Sequence, residues 1–128
     1  MPLEDNSVGV IYASHVIQHL KDPVNTMREI HRVLAHGGWA FIEVPSTDGR
    51  GAWQDPRHVS FWNENSFFYY TKAEQAKFIE NKDIRFMSRR LETGFPSKWY
   101  EDNKIPCVFA WLVAHKEDSK RRMGPMSI

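Results

Sequence analysis

A chain of 128 residues with 41% hydrophobic and 13% aromatic side chains can build one real core but not two separate domains. Lys and Arg number 17 against 16 Asp and Glu, a formal charge of +1, which argues against a broad electrostatic surface for nucleic acid or anionic membrane. No apolar stretch is long enough to span a bilayer, no basic segment leads the chain, and Cys107 is the lone cysteine, so a soluble protein of a reducing, cytoplasmic compartment is expected.

In chain order, Val8 to Ala13 is a near-continuous apolar run, the pattern of a parallel strand covered on both faces. Asp22 followed by Pro23 is an N-cap and a first-turn proline. Val24, Met27, Ile30 and Leu34 then recur at helical spacing, while Arg28, Glu29 and Arg32 fall on the solvated side. Glu29 and Arg32 are spaced to pair on that surface. Gly37-Gly38 supplies a positive-φ residue to end the helix, and Trp39 to Val44 forms a second apolar strand stopped by Pro45. Two parallel strands joined by a helix make a right-handed βαβ crossover.

Residues 46–65 are irregular and aromatic, broken by Gly49, Gly51 and Pro56, and loops of this length in a compact domain are commonly functional. Trp53, Phe61 and Trp62 argue that the loop packs. Asn65 or Ser66 could cap a helix reaching about Ile79, with Phe67, Tyr70, Ala73 and Ala76 or Lys77 spaced along it. Ile84 to Glu92 and Ile105 to His115 read as two strands, with Gly94, Pro96 and Asn103 marking the turn region between them. Cys107 sits in the apolar second strand and is expected to be buried and unreactive. Residues 1–115 are therefore expected to form one domain and residues 116–128 a flexible charged tail, whose Lys120-Arg121-Arg122 cluster reads as a solvated terminus.

Leu3 to Leu20, containing the strand Val8–Ala13 and the element Ile17-Gln18-His19-Leu20, is followed by Arg28 to Gly38, containing Val33-Leu34-Ala35-His36-Gly37-Gly38. In order and spacing these resemble the second half of a class I S-adenosylmethionine-dependent methyltransferase of the type 11 kind, over roughly residues 3–115. Gly9, Gln18 and Ala35-His36 depart from the residues the pattern usually carries there. The resemblance implies an α/β fold: part of a Rossmann-like sheet with strands equivalent to the fourth, fifth, seventh and sixth in that spatial order, the last two antiparallel. It also implies that the edge at residues 8–13 lies open, because the strand that would pair with it belongs to the missing glycine-rich half. An open apolar edge is a configuration proteins normally cover, so a homodimer through Val8–Ala13, or a separate chain supplying the other half, is expected.

In such sheets ligands bind beyond the carboxyl ends of the strands. Ser14, His15 and His19 after the first strand are thus candidates to face the cofactor, and Glu43, Ser46 and Asp48 at the end of the second to face the acceptor. The loop adds Trp53, Asp55, His58, Phe61 and Trp62, with His58 in a His-Val-x-Phe element that similar methyltransferases place over the acceptor pocket. His15 and His58 are the candidate proton acceptors, since an imidazole near its ordinary pKa of about 6.5 can take a proton from a hydroxyl, amine or carboxyl acceptor. Each has a plainer alternative: His15 bonding a backbone carbonyl, His58 bracing the loop. His15-x-x-x-His19 would align two imidazoles on a helix, but no neighbouring Cys or acidic motif completes a metal site, and none is expected. The glycine loop and ribose-binding acid that hold S-adenosylmethionine in related enzymes have no counterpart, and Gly37-Gly38 follows a helix instead of opening one. Two functions stay open: the C-terminal portion of a small-molecule methyltransferase, unable to bind S-adenosylmethionine or act alone, and a non-catalytic, self-associating binding module derived from one.

Overall fold

Val8–Ser14 forms a strand, β1, in the computed structural model, which describes residues 2–116. The chain turns through a short 3-10 segment, Ile17–His19, into helix α1, Pro23–Val33, and returns as β2, Leu34–Pro45. β1 and β2 are parallel, with Tyr12 opposite Phe41 and Ser14 opposite Glu43. The cap is as the sequence suggests: the Asn25 amide donates to Asp22 Oδ1 at 3.1 Å, and Pro23 occupies the first turn. α1 buries Met27, Ile30 and Val33, while Arg32 Nε donates to Glu29 Oε2 at 2.8 Å on its outer side.

Gly37-Gly38 does not end this helix. Its last turn closes at Leu34, whose amide donates to the Ile30 carbonyl and whose side chain is fully buried, so the backbone leaves helical geometry before a glycine is reached. Gly37, at φ +84°, lies inside β2 where the register shifts: Val8 pairs with Leu34 but Val10 with Trp39. The surplus residues on β2 form a bulge, and the left-handed conformation serves that bulge.

The loop carries a single helical turn, α2, Gly51–Gln54. The helix expected to run to about Ile79 is instead a series of short pieces: a 3-10 turn Glu64–Phe67, then α3, Phe68–Thr71, α4, Ala73–Ala76, and a 3-10 turn Lys77–Ile79. Lys72, at φ −122° and ψ 127°, breaks it. Phe67, Tyr70 and Ala76 are all buried, yet an unbroken helix would set Ala76 about a third of a turn away from Tyr70. Bending at Lys72 lets all of them reach the core. The cap is Asn63, not Asn65 or Ser66: Asn63 Oδ1 accepts the Asn65 amide and Ser66 Oγ accepts the Asn63 amide, each at 2.9 Å.

β3, Arg85–Gly94, is followed by α5, Lys98–Asp102, in the region flagged by Gly94, Pro96 and Asn103, and then by β4, Cys107–His115. β4 inserts between β2 and β3 and runs antiparallel to both, giving the order β1-β2-β4-β3. This is the expected 4-5-7-6 arrangement of a partial Rossmann-like methyltransferase fold. One face of the sheet, with Ala13, Ala40, Ile42, Ala110 and Leu112, packs on Met27, Ile30, Trp62, Phe67 and Tyr70 in a single core. On the other face Tyr12, Phe41 and Trp111 lie across successive strands, and Tyr12 is 73% exposed. β1 pairs only with β2 among the described residues, so the expected open edge is present. No described helix is long and apolar enough to cross a membrane. Of the tail expected over residues 116–128, Lys116 is described, its amide donating to His36 Nδ1 at 3.0 Å, and residues 117–128, with Lys120-Arg121-Arg122, lie outside the described residues.

Candidate functional site

At the carboxyl end of the parallel pair, Ser14 in β1 faces Glu43 in β2. The next residue, His15, adopts φ +59°, a left-handed conformation that costs a side-chain-bearing residue roughly 1–2 kcal/mol. Two bonds hold it there. Its amide donates to the Glu43 carbonyl at 2.8 Å, and its Nε2 lies 2.7 Å from Glu43 Oε2. Both side chains are partly exposed, 28% for His15 and 18% for Glu43. The Tyr100 hydroxyl, from α5, approaches the same Nε2 at 3.4 Å, and the two rings are 5.6 Å apart.

Cys107, at the start of β4, completes this cluster from below. Its Sγ and the donor atoms of His15 and Glu43 all lie within 4.8 Å of one another. The thiol is buried as expected, and burial, helped by the negative charge of Glu43, pushes its pKa up to about 12. It is therefore no nucleophile in this environment. Burial also raises the Tyr100 phenol, with smaller contributions from Cys107 and Glu43.

The aromatic loop is seated firmly on the rest of the chain. A Cβ on Gly49 would come within 2.2 Å of Pro106, and one on Gly51 within 2.3 Å of Ile105. The Thr47 amide donates to the Trp62 carbonyl, while the amides of Val59 and Ser60 both donate to the Gln18 carbonyl. Ser46 is buried, its hydroxyl donating to Asp48 Oδ2 at 3.0 Å. Trp53 and Phe61 stack at 4.7 Å and 17°, and both remain exposed at 58% and 44%. Trp62 is not part of that surface: it is 1% exposed and its indole N–H donates to Ser60 Oγ, so it anchors the loop in the core.

The other candidate imidazoles form a second group. His58 Nδ1 donates to the Ala52 carbonyl at 3.0 Å, and its ring meets that of His19 edge-on at 5.0 Å. His19 in turn donates to the Arg57 carbonyl. Asp55 is bound by Arg57 at 2.6 Å, and the side-chain hydrogen bond from that guanidinium holds its carboxyl well below the usual carboxylate range. His58 Nε2 lies 3.8 Å from Asp55 Oδ2. Ser14, His15 and Glu43 thus gather at one strand end, whereas Asp55, His58 and His19 brace the loop. Tyr100 and Cys107 were not legible as site residues, because only the placement of α5 and β4 carries them to His15.

An imidazole oriented by a carboxylate can accept a proton from an approaching acceptor and hold the resulting charge. A family model described as a methyltransferase domain matches residues 1–42. The chain is 27% identical, over 95% of its length, to a malonyl-[acyl-carrier protein] O-methyltransferase of Alcanivorax borkumensis, and it spans about half of that relative, 47%. Solved structures agree in fold. A Haloferax volcanii methyltransferase in complex with the Trm112 methyltransferase activator matches at a TM-score of 0.64 and 15% identity, with 91% of this chain and 58% of that one covered. A S-adenosylmethionine-dependent methyltransferase of Methanosarcina mazei matches at 0.59 and 13% identity, covering 91% and 64%. The chain is thus similar to a methyltransferase domain in sequence over residues 1–42, and to S-adenosylmethionine-dependent methyltransferases in fold.

Proposed function

We propose that this chain supplies the acceptor-side portion of a S-adenosylmethionine-dependent methyltransferase acting on a small molecule, and that further polypeptide is needed to hold the cofactor. The observation that carries this reading is the His15–Glu43 pair, 2.7 Å apart at the carboxyl ends of adjacent parallel strands. His15 is the proton acceptor for the incoming nucleophile, and Glu43 orients the imidazole and stabilises its charged form. Trp53 and Phe61 offer an exposed stacked wall, and Asp48, exposed in the same loop, accepts the Ser46 hydroxyl. His58 acts through the loop, since its Nδ1 is engaged by the Ala52 carbonyl. The relative named as a malonyl-[acyl-carrier protein] O-methyltransferase makes an oxygen acceptor the first class to test.

S-adenosylmethionine supplies an activated methyl group, so the protein's task is to place the acceptor in line. The described residues do not fit that cofactor unaided. Gly49 and Gly51, the two glycines of the loop after β2, have their Cβ positions filled by Pro106 and Ile105, so neither opens onto a ligand. Ser14, His15 and His19 would contribute only one side of a cofactor site. A different chain, carrying the absent half, supplies the remainder; the Haloferax methyltransferase, solved with its activator, is an example of a relative in fold that has a partner chain.

The second reading, a non-catalytic self-associating module, is favoured by the β1 edge itself. Val10 and Tyr12 are 59% and 73% exposed there, beside a groove of about 570 Å³ that includes Ile11, Val16, Leu20 and Ile30. Calorimetry with S-adenosylmethionine and S-adenosylhomocysteine on the isolated chain tests the cofactor claim. No micromolar binding is expected; micromolar affinity overturns it.

A further inference from the structure

We propose that His15, Glu43 and Cys107 form a binding site for a divalent transition-metal cation of the zinc class. The sheet builds the site from three strands. Glu43 and Cys107 fall on the same face of the β2–β4 pair, because Glu43 pairs with Phe109 and Pro45 with Cys107, and His15 follows β1 directly beside them. An imidazole nitrogen, a carboxylate oxygen and a sulfur then lie within 4.8 Å of one another. Zinc bonds of about 2.0–2.3 Å set tetrahedral donors roughly 3.3–3.8 Å apart, so modest side-chain adjustments bring this set onto one ion.

The mixed nitrogen, sulfur and oxygen donors select zinc, cobalt or a similar ion over calcium or magnesium, which prefer all-oxygen sites. Access and anchoring are both provided: His15 and Glu43 reach solvent, whereas Cys107 is fully buried and fixed by β4. On binding, the metal–sulfur bond replaces the Cys107 S–H bond and the proton leaves to solvent. Three protein ligands leave a coordination position for water or the nearby Tyr100 hydroxyl. The left-handed backbone at His15 gains a reason, since it turns the imidazole back onto Glu43 in a conformation that a side chain otherwise avoids. A metal-bound imidazole cannot also accept a proton, so the loaded chain and the proton-accepting dyad are mutually exclusive states of His15.

Cobalt titration of the full 128-residue chain, reduced and freed of metal by chelator, tests the site without any methyl-transfer assay. Cys107 is the sole cysteine, so a thiolate-to-cobalt charge-transfer band can come only from it. A single equivalent of Co²⁺ should produce that band and Zn²⁺ should abolish it. His15→Ala and Glu43→Gln should each weaken cobalt binding by at least about tenfold, and Cys107→Ala should remove the band. Absence of the band in the unsubstituted chain overturns the proposal. So does a band that His15→Ala and Glu43→Gln leave unchanged, because the cation would then rest on other ligands. Failure here leaves the proton-accepting dyad intact, while the calorimetry above addresses the cofactor independently.

Discussion

His15 is held in the left-handed region by its neighbours, and the stability cost of that geometry can be isolated from the chemistry of the ring. Replacing it by alanine or by glycine removes the imidazole and its contact with Glu43 equally. Only glycine also relieves the backbone at φ +59°. His15→Gly should therefore unfold at a higher urea concentration than His15→Ala, by about 1 kcal/mol in free energy. At an ordinary strand or helix position, with φ negative, the order would be reversed. Equal stability of the two variants, or a more stable alanine, would remove the strained turn from the description of the site.

Among the elements, α1 was the most legible and also carries a pH dependence. Asp22-Pro23 and the stripe Met27, Ile30 announced it because capping and burial within one helix are local properties. The break at Lys72 and the bulge at Gly37 were not legible, since each answers a demand made by distant packing: Ala76 needing the core, and β2 needing to meet β1. The same holds for the candidate site. Ser14, His15 and Glu43 could be nominated from strand ends, but Tyr100 and Cys107 lie 85 and 92 positions beyond His15, and no short motif links them. From α1, His31 donates through Nε2 to the His115 carbonyl at 3.0 Å and meets Phe86 edge-on. Burial lowers its pKa from 6.5, outweighing the opposing backbone hydrogen bond from the His115 side. Below pH 6.5 the unfolded chain therefore binds more protons than the folded one, and stability falls as pH drops toward the depressed folded value. Above pH 6.5 the group contributes no slope. One such proton gives at most about 1.4 kcal/mol per pH unit. His31→Gln keeps a donor for the His115 carbonyl while removing the titration, so denaturation profiles between neutral and mildly acidic pH should be flatter in this variant. An unchanged slope would assign the acid sensitivity to other groups.

At the scale of the whole molecule, the sheet ends on its first strand with backbone donors and acceptors facing outward, and with Val10 and Tyr12 exposed on a face already lined by Phe41 and Trp111. Such an edge invites pairing. A twofold axis beside β1 would set two copies antiparallel and continue the sheet through both, satisfying the outward-facing groups of each. Tyr12→Lys places a charge on each copy at that seam. The position is 73% exposed, so the monomer's own stability should change by only about 0.5 kcal/mol or less. Light scattering should give a dimer for the unsubstituted chain and a monomer for Tyr12→Lys, and hydrogen exchange should show the β1 amides protected in the first and fast in the second. A monomeric unsubstituted chain whose β1 amides exchange rapidly would rule out the self-paired edge, and would direct the search to a different polypeptide as the element that closes it.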